Sequence, residues 1–183
     1  MTTDERAFHY VCRRQEAAQL INAHNRFWVV ACGCRKERGD VCRSSRHDIC
    51  LWFHGHMHEN FGSPSEISRA QAMRLLAQAK TEHLVTRPFR NEQDRSITEG
   101  ICFCCDDCCY YFVKPGEKCD KGAFVEHTDA DLCRHCGTCV EVCYFRAREL
   151  NDDALKVTKD SCYGCGLCVD ICPEDAIEMV KAG

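Results

Sequence analysis

Nineteen of the 183 residues are cysteines, and their number and spacing are the main chemical signal in the chain. Thiolates bind zinc and iron–sulfur clusters. Disulfide frameworks are typical of secreted proteins with an even number of cysteines. Here the number of cysteines is odd, and the first twelve residues, MTTDERAFHYVC, show no signal-peptide pattern. The composition therefore predicts metal-bound thiolates in a reducing, cytoplasmic environment.

The carboxyl-terminal third contains an internal repeat. "CRHCGTCVEVC" and "CYGCGLCVDIC" align without a gap, and both read C-x2-C-x2-C-x3-C. Zinc sites normally use two separated C-x2-C pairs, so the uninterrupted run indicates iron–sulfur clusters instead. The two quartets are Cys133, Cys136, Cys139 and Cys143, and Cys162, Cys165, Cys168 and Cys172.

Residues 124–183 resemble the bacterial two-cluster ferredoxins, which carry this cysteine run twice. The resemblance implies two [4Fe–4S] clusters, strands near 124–126 and 177–180, and short helices after Cys139 and Cys168. It also implies crossed ligands: Cys133, Cys136 and Cys139 with Cys172, and Cys162, Cys165 and Cys168 with Cys143. One departure is Tyr144, which follows Cys143 where the family has a proline such as Pro173.

Residues 1–123 contain the other eleven cysteines, and nine of these fall into two groups. Apolar periodicity predicts helices over 13–24 and from Ser65 or Ser68 to about residue 84, and "FWVVAC" predicts a buried strand. The fold class expected is α+β: a small α-rich, Cys-rich iron–sulfur domain (1–123) followed by a two-cluster ferredoxin-like domain (124–183). The groups are Cys32, Cys34, Cys42 and Cys50, and Cys102, Cys104, Cys105, Cys108 and Cys109.

This order of motifs, from about Glu16 to Val180, resembles a group of 4Fe–4S binding proteins of anaerobes. The resemblance implies the architecture and no particular reaction. The "HGHMH" insertion at 54–58 and the pair Asp106–Asp107 depart from that group.

The spacing of the cysteines in residues 1–123 allows more than one assignment of ligands to clusters. One arrangement places one cluster on the first group and a second cluster on four cysteines of the second group. If "CCDDCC" were helical, Cys104 with Cys108 and Cys105 with Cys109 would be i,i+4 neighbours, and adjacent cysteines would point apart, so the groups could exchange ligands. One extra cluster with spare thiols, or a zinc site, are the alternatives. Cys12 and Cys119 have no cysteine at ligand spacing.

Histidines and basic residues accompany the first group. On a helix, His54 and His58 would align with Cys50 as a metal-binding face, with His56 between them; exposed polar histidines are the simpler interpretation. Arg35, Lys36, Arg38, Arg43 and Arg46 could offset cluster charge, although a solvated surface explains them more simply.

Several functional classes lack support in the sequence. The net charge is −4, with no long basic stripe for nucleic acid, no apolar run of membrane-spanning length, and no glycine-rich nucleotide or flavin motif. Residues 124–183 hold 12 acidic and 6 basic residues, a balance that suits docking to a basic face of a protein partner.

These features predict a low-potential electron-transfer protein whose [4Fe–4S] clusters, two in 124–183 and one or two in 1–123, exchange electrons with a partner redox protein or enzyme complex. The chain could be a subunit of such a complex. One alternative is a reductase that binds a small substrate at an incompletely ligated amino-terminal cluster. Another is a redox-responsive interaction module.

Overall fold

The computed structural model describes residues 5–39, 42, 48–55, 63–114 and 116–183, and these form a mixed α/β structure. The strands are β1 (His9–Tyr10), β2 (Phe27–Ala31), β3 (Asp48–Trp52), β4 (Ser65–Ile67), β5 (Val85–Arg90), β6 (Thr98–Cys104), β7 (Cys119–Asp120), β8 (Phe124–Thr128), β9 (Arg148–Asn151), β10 (Ala154–Val157) and β11 (Ile177–Lys181). The α-helices are α1 (Arg14–Ala23), α2 (Gly33–Arg38), α3 (Arg69–Thr81), α4 (Tyr110–Val113), α5 (Thr138–Glu141) and α6 (Leu167–Ile171). A 3-10 helix covers Lys159–Ser161.

The amino-terminal region is built on a seven-stranded sheet with the order β4-β2-β3-β6-β5-β1-β7. Its strands pair antiparallel, except that β1 and β7 are parallel. Helices α1 and α3 cover one face, and they bury their apolar sides against alternate residues of the central strands. These strand residues are Phe27, Val29, Ile49, Leu51, Ile101 and Phe103.

The opposite face of the sheet carries the cysteines. Because side chains alternate along a strand, Cys50 lies on the other side of β3 from Ile49 and Leu51, and Cys102 lies on the other side of β6 from Ile101. Trp28 and Trp52 share this face. The register pairs Arg87 of β5 with Cys102, which brings the guanidinium to the same face. Sheet pairing therefore assembles a site from residues distant in sequence.

The expected α-rich character of residues 1–123 is wrong, because this sheet is the main element of the region. Strand β5 has the sequence VTRPFR. Its Pro88 and two arginines interrupt the alternation of apolar and polar residues by which a strand is predicted. The expected helices are present as α1 and α3, and Ser68, not Ser65, caps α3 by accepting from the Gln71 amide at 3.3 Å. Cys50 lies in a strand and Cys105–Cys108 in a turn, so neither belongs to a helix.

Residues 124–183 contain two antiparallel sheets of two strands each. Strand β8 pairs antiparallel with β11, and β9 with β10. Helix α5 contains Cys139 and helix α6 contains Cys168, so the short helices include these cysteines and do not merely follow them. The strands expected near 124–126 and 177–180 are present and slightly longer.

The two regions pack directly on one another. The Arg14 guanidinium of α1 lies 2.8 Å from the Asp170 carboxylate of α6, and a buried apolar cluster joins residues of both regions, including Val11, Val85, Val142 and Leu167. The division after residue 123 stays a prediction. Among the helices that the structure describes, none combines the length and apolar character needed to cross a membrane.

Candidate cluster sites

Two cavities of nearly equal size lie in the carboxyl-terminal region, and each is lined by four cysteines. The outer cavity, about 340 Å³, is lined by Cys133, Cys136, Cys139 and Cys172. The inner cavity, about 350 Å³, is lined by Cys143, Cys162, Cys165 and Cys168. Each cavity thus takes three cysteines from one run and the fourth from the other, which is the grouping that the crossed pattern requires.

The chemistry of these thiols suits a cationic cluster core. Burial raises the pKa of Cys165 and of Cys168 to about 12, so these groups become thiolates when a metal compensates the charge. Hydrogen bonds from the hydroxyl and then the backbone amide of Thr138 lower the pKa of Cys136. The Ala147 amide donates to Cys143 Sγ at 3.3 Å. Four sulfurs per cavity with amide donors beside them fit a [4Fe–4S] cluster.

Glycines let the backbone curve closely around the cavities. Gly137 and Gly166 occupy matching places before α5 and α6, each with φ of +80°. Gly164 has φ of +75°, and a Cβ there would lie 2.1 Å from the carbonyl oxygen of Phe124. His135 holds the matching place in the first run with φ of +54°. The second run therefore needs glycine for close packing against β8 as well as for its backbone conformation.

A buried arginine lies between the two cavities. Arg148 is 3 % exposed, its Nη1 is 3.3 Å from Cys139 Sγ of the outer cavity, and its side chain also lines the inner cavity. Its Nη2 pairs with the Glu126 carboxylate, which is 2 % exposed, and donates to Thr128 Oγ1 at 2.9 Å. This guanidinium can stabilise negative charge in both cavities.

A much larger pocket, about 1120 Å³, lies on the cysteine face of the seven-stranded sheet, and we call it the sheet pocket. Aromatic side chains, Phe8, Trp52, Phe89 and Tyr110, form much of its wall. It is about three times the size of either carboxyl-terminal cavity. Its cysteines are Cys32, Cys34, Cys50, Cys102, Cys104, Cys105, Cys108 and Cys109.

Thiols in the sheet pocket contact one another in series. Hydrogen bonds from Cys34 and Cys50 lower the pKa of Cys32 to about 4, and a hydrogen bond from Cys50 lowers the pKa of Cys102 to about 5. Hydrogen bonds with Cys102 and Cys32, together with burial, raise the pKa of Cys50, which lies between them. Cys34 and Cys104 both contact Cys109. Sulfurs from the two sequence groups are therefore mixed around one pocket.

Cationic side chains balance the thiolates of the sheet pocket. Arg87, 1 % exposed, places Nη1 2.9 Å from Cys109 Sγ and Nη2 2.7 Å from the Glu117 carboxylate. Burial lowers the pKa of His9, but hydrogen bonds with Cys102 and Glu117 outweigh it and raise the pKa to about 9. Two cations and one carboxylate thus face the sulfurs, a balance that suits an anionic thiolate-ligated cluster.

A third set of sulfurs lies beside the sheet pocket. Cys42 Sγ is 3.3 Å from Cys108 Sγ and 3.7 Å from Cys105 Sγ, and the latter two sulfurs are 2.9 Å apart. Arg35 is fully buried, with Nη2 3.9 Å from Cys105 Sγ, so it is not the surface charge that its neighbours in sequence suggest. Cys42 thus contacts the second sequence group and does not line the pocket with Cys32, Cys34 and Cys50.

Other expected site residues lie elsewhere or outside the described residues. Cys12 is buried in the apolar core and Cys119 is half-buried in β7, and neither lines these cavities. His54 Nε2 lies 3.3 Å from Glu99 Oε1, so its nearest charged partner is a carboxylate. His56, His58, Arg43 and Arg46 lie outside the described residues.

Sequence reasoning missed the buried charges. Arg148 holds the place in the first run that Ile177 holds in the second, so a charge at an otherwise apolar repeat position was a readable signal. Arg87 lies between Thr86 and Pro88 in β5, so its neighbours in sequence did not mark it as buried. His9 and Glu117 carry no such signal, because only the β1–β7 pairing brings them to the pocket.

Comparison with known proteins agrees with this geometry for the carboxyl-terminal region. Residues 126–173 match the model of the 4Fe–4S dicluster domain family, and that segment contains both cysteine quartets. This match and the nineteen cysteines support a 4Fe–4S binding protein with an iron–sulfur electron-transfer role. Among curated proteins, none matches the chain.

Proposed function

We propose that this protein carries low-potential electrons, one at a time, between the two carboxyl-terminal clusters and a redox centre in the sheet pocket. The observation that carries the proposal is the pair of cavities with four cysteines each. A [4Fe–4S] cluster in which each iron is bound by one cysteine thiolate has no open position for substrate. Such a fully ligated cluster therefore only gains and loses electrons. The ligands would be Cys133, Cys136, Cys139 and Cys172, and Cys143, Cys162, Cys165 and Cys168.

An aromatic bridge supports the order of transfer. Tyr163 and Phe145, which line the inner cavity, stack with ring centroids 4.3 Å apart, and Tyr111 lies 6.0 Å from each of them. The Arg87 guanidinium carbon lies 4.7 Å above the Tyr111 ring, and the same guanidinium contacts the sulfurs of the sheet pocket. This contiguous aromatic path favours the order outer cluster, inner cluster, sheet pocket.

Tyr144 contributes to the same bridge. Its ring lies 6.0 Å from Phe112 of the amino-terminal region, and Phe112 lies 5.2 Å from Phe145. The aromatic residue that replaces the family's proline therefore packs between the two regions. We infer that this departure serves contact between regions and leaves the Cys143 ligand in place.

The external partner would meet the outer cavity. Cys136 is exposed, and the region around it belongs to the acidic part of the chain, so a donor or acceptor with a basic docking face fits best. Such a partner would be a redox protein or an enzyme complex in the cytoplasm, where thiols stay reduced. Residues 1–123 and 124–183 would then act as the two modules of one carrier.

Anaerobic redox titration followed by EPR tests the proposal. We expect a reduced viologen to deliver at least two electrons per chain, with potentials inside the range of roughly −700 to +450 mV known for such clusters. Replacing Tyr111 and Phe145 by leucine should slow electron arrival at the sheet pocket without changing either carboxyl-terminal potential appreciably. Replacing Phe53, which lies in the core on the helix-covered face and outside both the bridge and the sheet pocket, by leucine is the control. Clusters that hold one redox state throughout the range would contradict the proposal.

The size of the sheet pocket favours a second candidate, reduction of a small substrate at an incompletely ligated cluster. The pocket is about three times the size of either carboxyl-terminal cavity, and its aromatic walls suit an organic molecule. A change in the spectrum of one cluster on adding a small disulfide would support this candidate. Four cysteine ligands on each iron–sulfur cluster in a structure of the loaded protein would remove it.

A further inference from the structure

Among the described residues, Cys42, Cys105, Cys108 and Asp107 form the one group of three or more ligand-type side chains whose donor atoms all lie within 4.8 Å of one another. We propose that this group binds a single Zn²⁺ ion through three thiolates and one carboxylate, separately from the iron–sulfur clusters. We call it the Cys42 site. It goes beyond the proposed electron transfer and does not depend on it.

The sulfur spacing distinguishes one ion from a cluster. Thiolates around one tetrahedral zinc, at about 2.3 Å each, lie about 3.8 Å apart. The three separations at the Cys42 site are 2.9, 3.3 and 3.7 Å. In a cubane each thiolate bonds a different iron at a different corner, which spreads the sulfurs.

The carboxyl-terminal region provides an internal standard for that wider spacing. All residues from 116 to 183 are described, and no three of their cysteine sulfurs lie within 4.8 Å of one another, although four line each cavity. The same chain therefore shows two geometries: open quartets around cavities, and a tight group with room for one ion.

Charge and burial also fit a divalent cation. Cys105 is 3 % exposed and Cys108 is 1 % exposed, and three thiolates with one carboxylate would carry four negative charges. Zn²⁺ and the buried Arg35 guanidinium, which also donates to the Phe103 carbonyl at 3.2 Å, reduce this to about one. Thiolate-rich tetrahedral sites select zinc among the common divalent ions.

The site would have a structural consequence for the sheet pocket. It would join residue 42 to the turn at 105–108, and so close a loop of more than 60 residues. It would also use Cys105 and Cys108 as zinc ligands. Six pocket cysteines would then remain for iron–sulfur ligation: Cys32, Cys34, Cys50, Cys102, Cys104 and Cys109.

Metal analysis and zinc-edge X-ray absorption of anaerobically purified protein test the inference. We expect about one zinc per chain in addition to iron, with three sulfur neighbours at about 2.3 Å and one oxygen at about 2.0–2.2 Å. This measurement needs no variant, so it decides the question even if a substitution prevents folding. Absence of zinc, or a first shell without sulfur, would overturn the inference.

Variants assign the ion to these residues. Cys42→Ala should lower zinc content at least fivefold and leave iron content unchanged, whereas Cys119→Ala, at another half-buried cysteine, should change neither. Asp107→Ala should weaken zinc retention against a chelator at least tenfold, and Asp106→Ala, at the neighbouring half-buried carboxylate, should not. If Cys42→Ala instead removes about four irons per chain, Cys42 is a cluster ligand and the zinc site is excluded.

Discussion

The two cysteine-rich regions assemble their sites by different routes. In residues 133–172 the ligands lie three or four positions apart, and turns and short helices bring them around cavities of about 340 and 350 Å³. In residues 32–109 the cysteines come from two strands, a short helix and the turns beside them, and surround about 1120 Å³. A local run encodes its geometry in its spacing, whereas a site on a sheet depends on strand register.

The regions also differ in how they hold positive charge. One guanidinium, Arg148, serves both carboxyl-terminal cavities, whereas Arg35, Arg87 and His9 distribute positive charge among the sulfurs of the larger site. Two compact clusters can share one cation, while dispersed thiolates need several.

Double substitutions give the largest effect and test whether the carboxyl-terminal ligands cross. Cys136 and Cys172 line the same cavity, so the Cys136→Ala/Cys172→Ala variant should lose about four irons per chain. Cys136→Ala/Cys143→Ala should lose about eight, because its two cysteines line different cavities. Iron and sulfide analysis after anaerobic reconstitution measures both. The reverse result would show that each run holds its own cluster.

Loss of the shared guanidinium should change both stability and potential. Arg148→Met would leave the Glu126 carboxylate buried without its partner, which costs about 3–5 kcal/mol of unfolding free energy. Both cluster potentials should become more negative because a nearby positive charge is lost. Thermal unfolding and redox titration measure the two effects.

Two control variants separate the roles of Arg148. Arg148→Met/Glu126→Gln should recover part of the stability, because no charge is left buried, but not the potentials. Arg148→Lys should retain the potentials better than Arg148→Met. If Arg148→Met shifted the potential of one cluster alone, the guanidinium would not be shared.

Glycine variants test how tightly the second cysteine run packs. Gly166→Ala meets no atom closer than 3.8 Å and should cost only the left-handed backbone conformation, about 1–2 kcal/mol. Gly164→Ala adds a contact of 2.1 Å with the Phe124 carbonyl, so it should cost clearly more and reduce iron in the inner cavity. Denaturant unfolding and iron analysis compare them. Equal losses of unfolding free energy in the two variants would mean that the close contact between residue 164 and strand β8 does not affect stability.

Helix capping should have the smallest effect and should be limited to the amino-terminal region. Ser68→Ala removes the hydroxyl that accepts from the Gln71 amide, which should lower the unfolding free energy by about 0.5–2 kcal/mol. The two carboxyl-terminal clusters should keep their EPR signals. Ser65→Ala, in the exposed edge strand β4, should change stability by less than about 0.5 kcal/mol. Equal effects of the two variants would contradict the assignment of Ser68 as the cap.

The cysteine quartets and the helices α1 and α3 could be predicted from residue spacing alone. Both are local: the quartets follow from spacing within eleven residues, and the helices follow from apolar periodicity and a cap. The family match over 126–173 reflects the same local pattern.

The grouping of the other thiols and of the buried charges depends on tertiary contacts. Antiparallel pairing puts Arg87 beside Cys102, and a turn brings Cys105 and Cys108 to Cys42 across more than 60 residues. Such contacts depend on register and chain reversal, which no short-range pattern in the sequence records. The seven-stranded sheet was missed for the same reason, since its strands are short and their partners are distant.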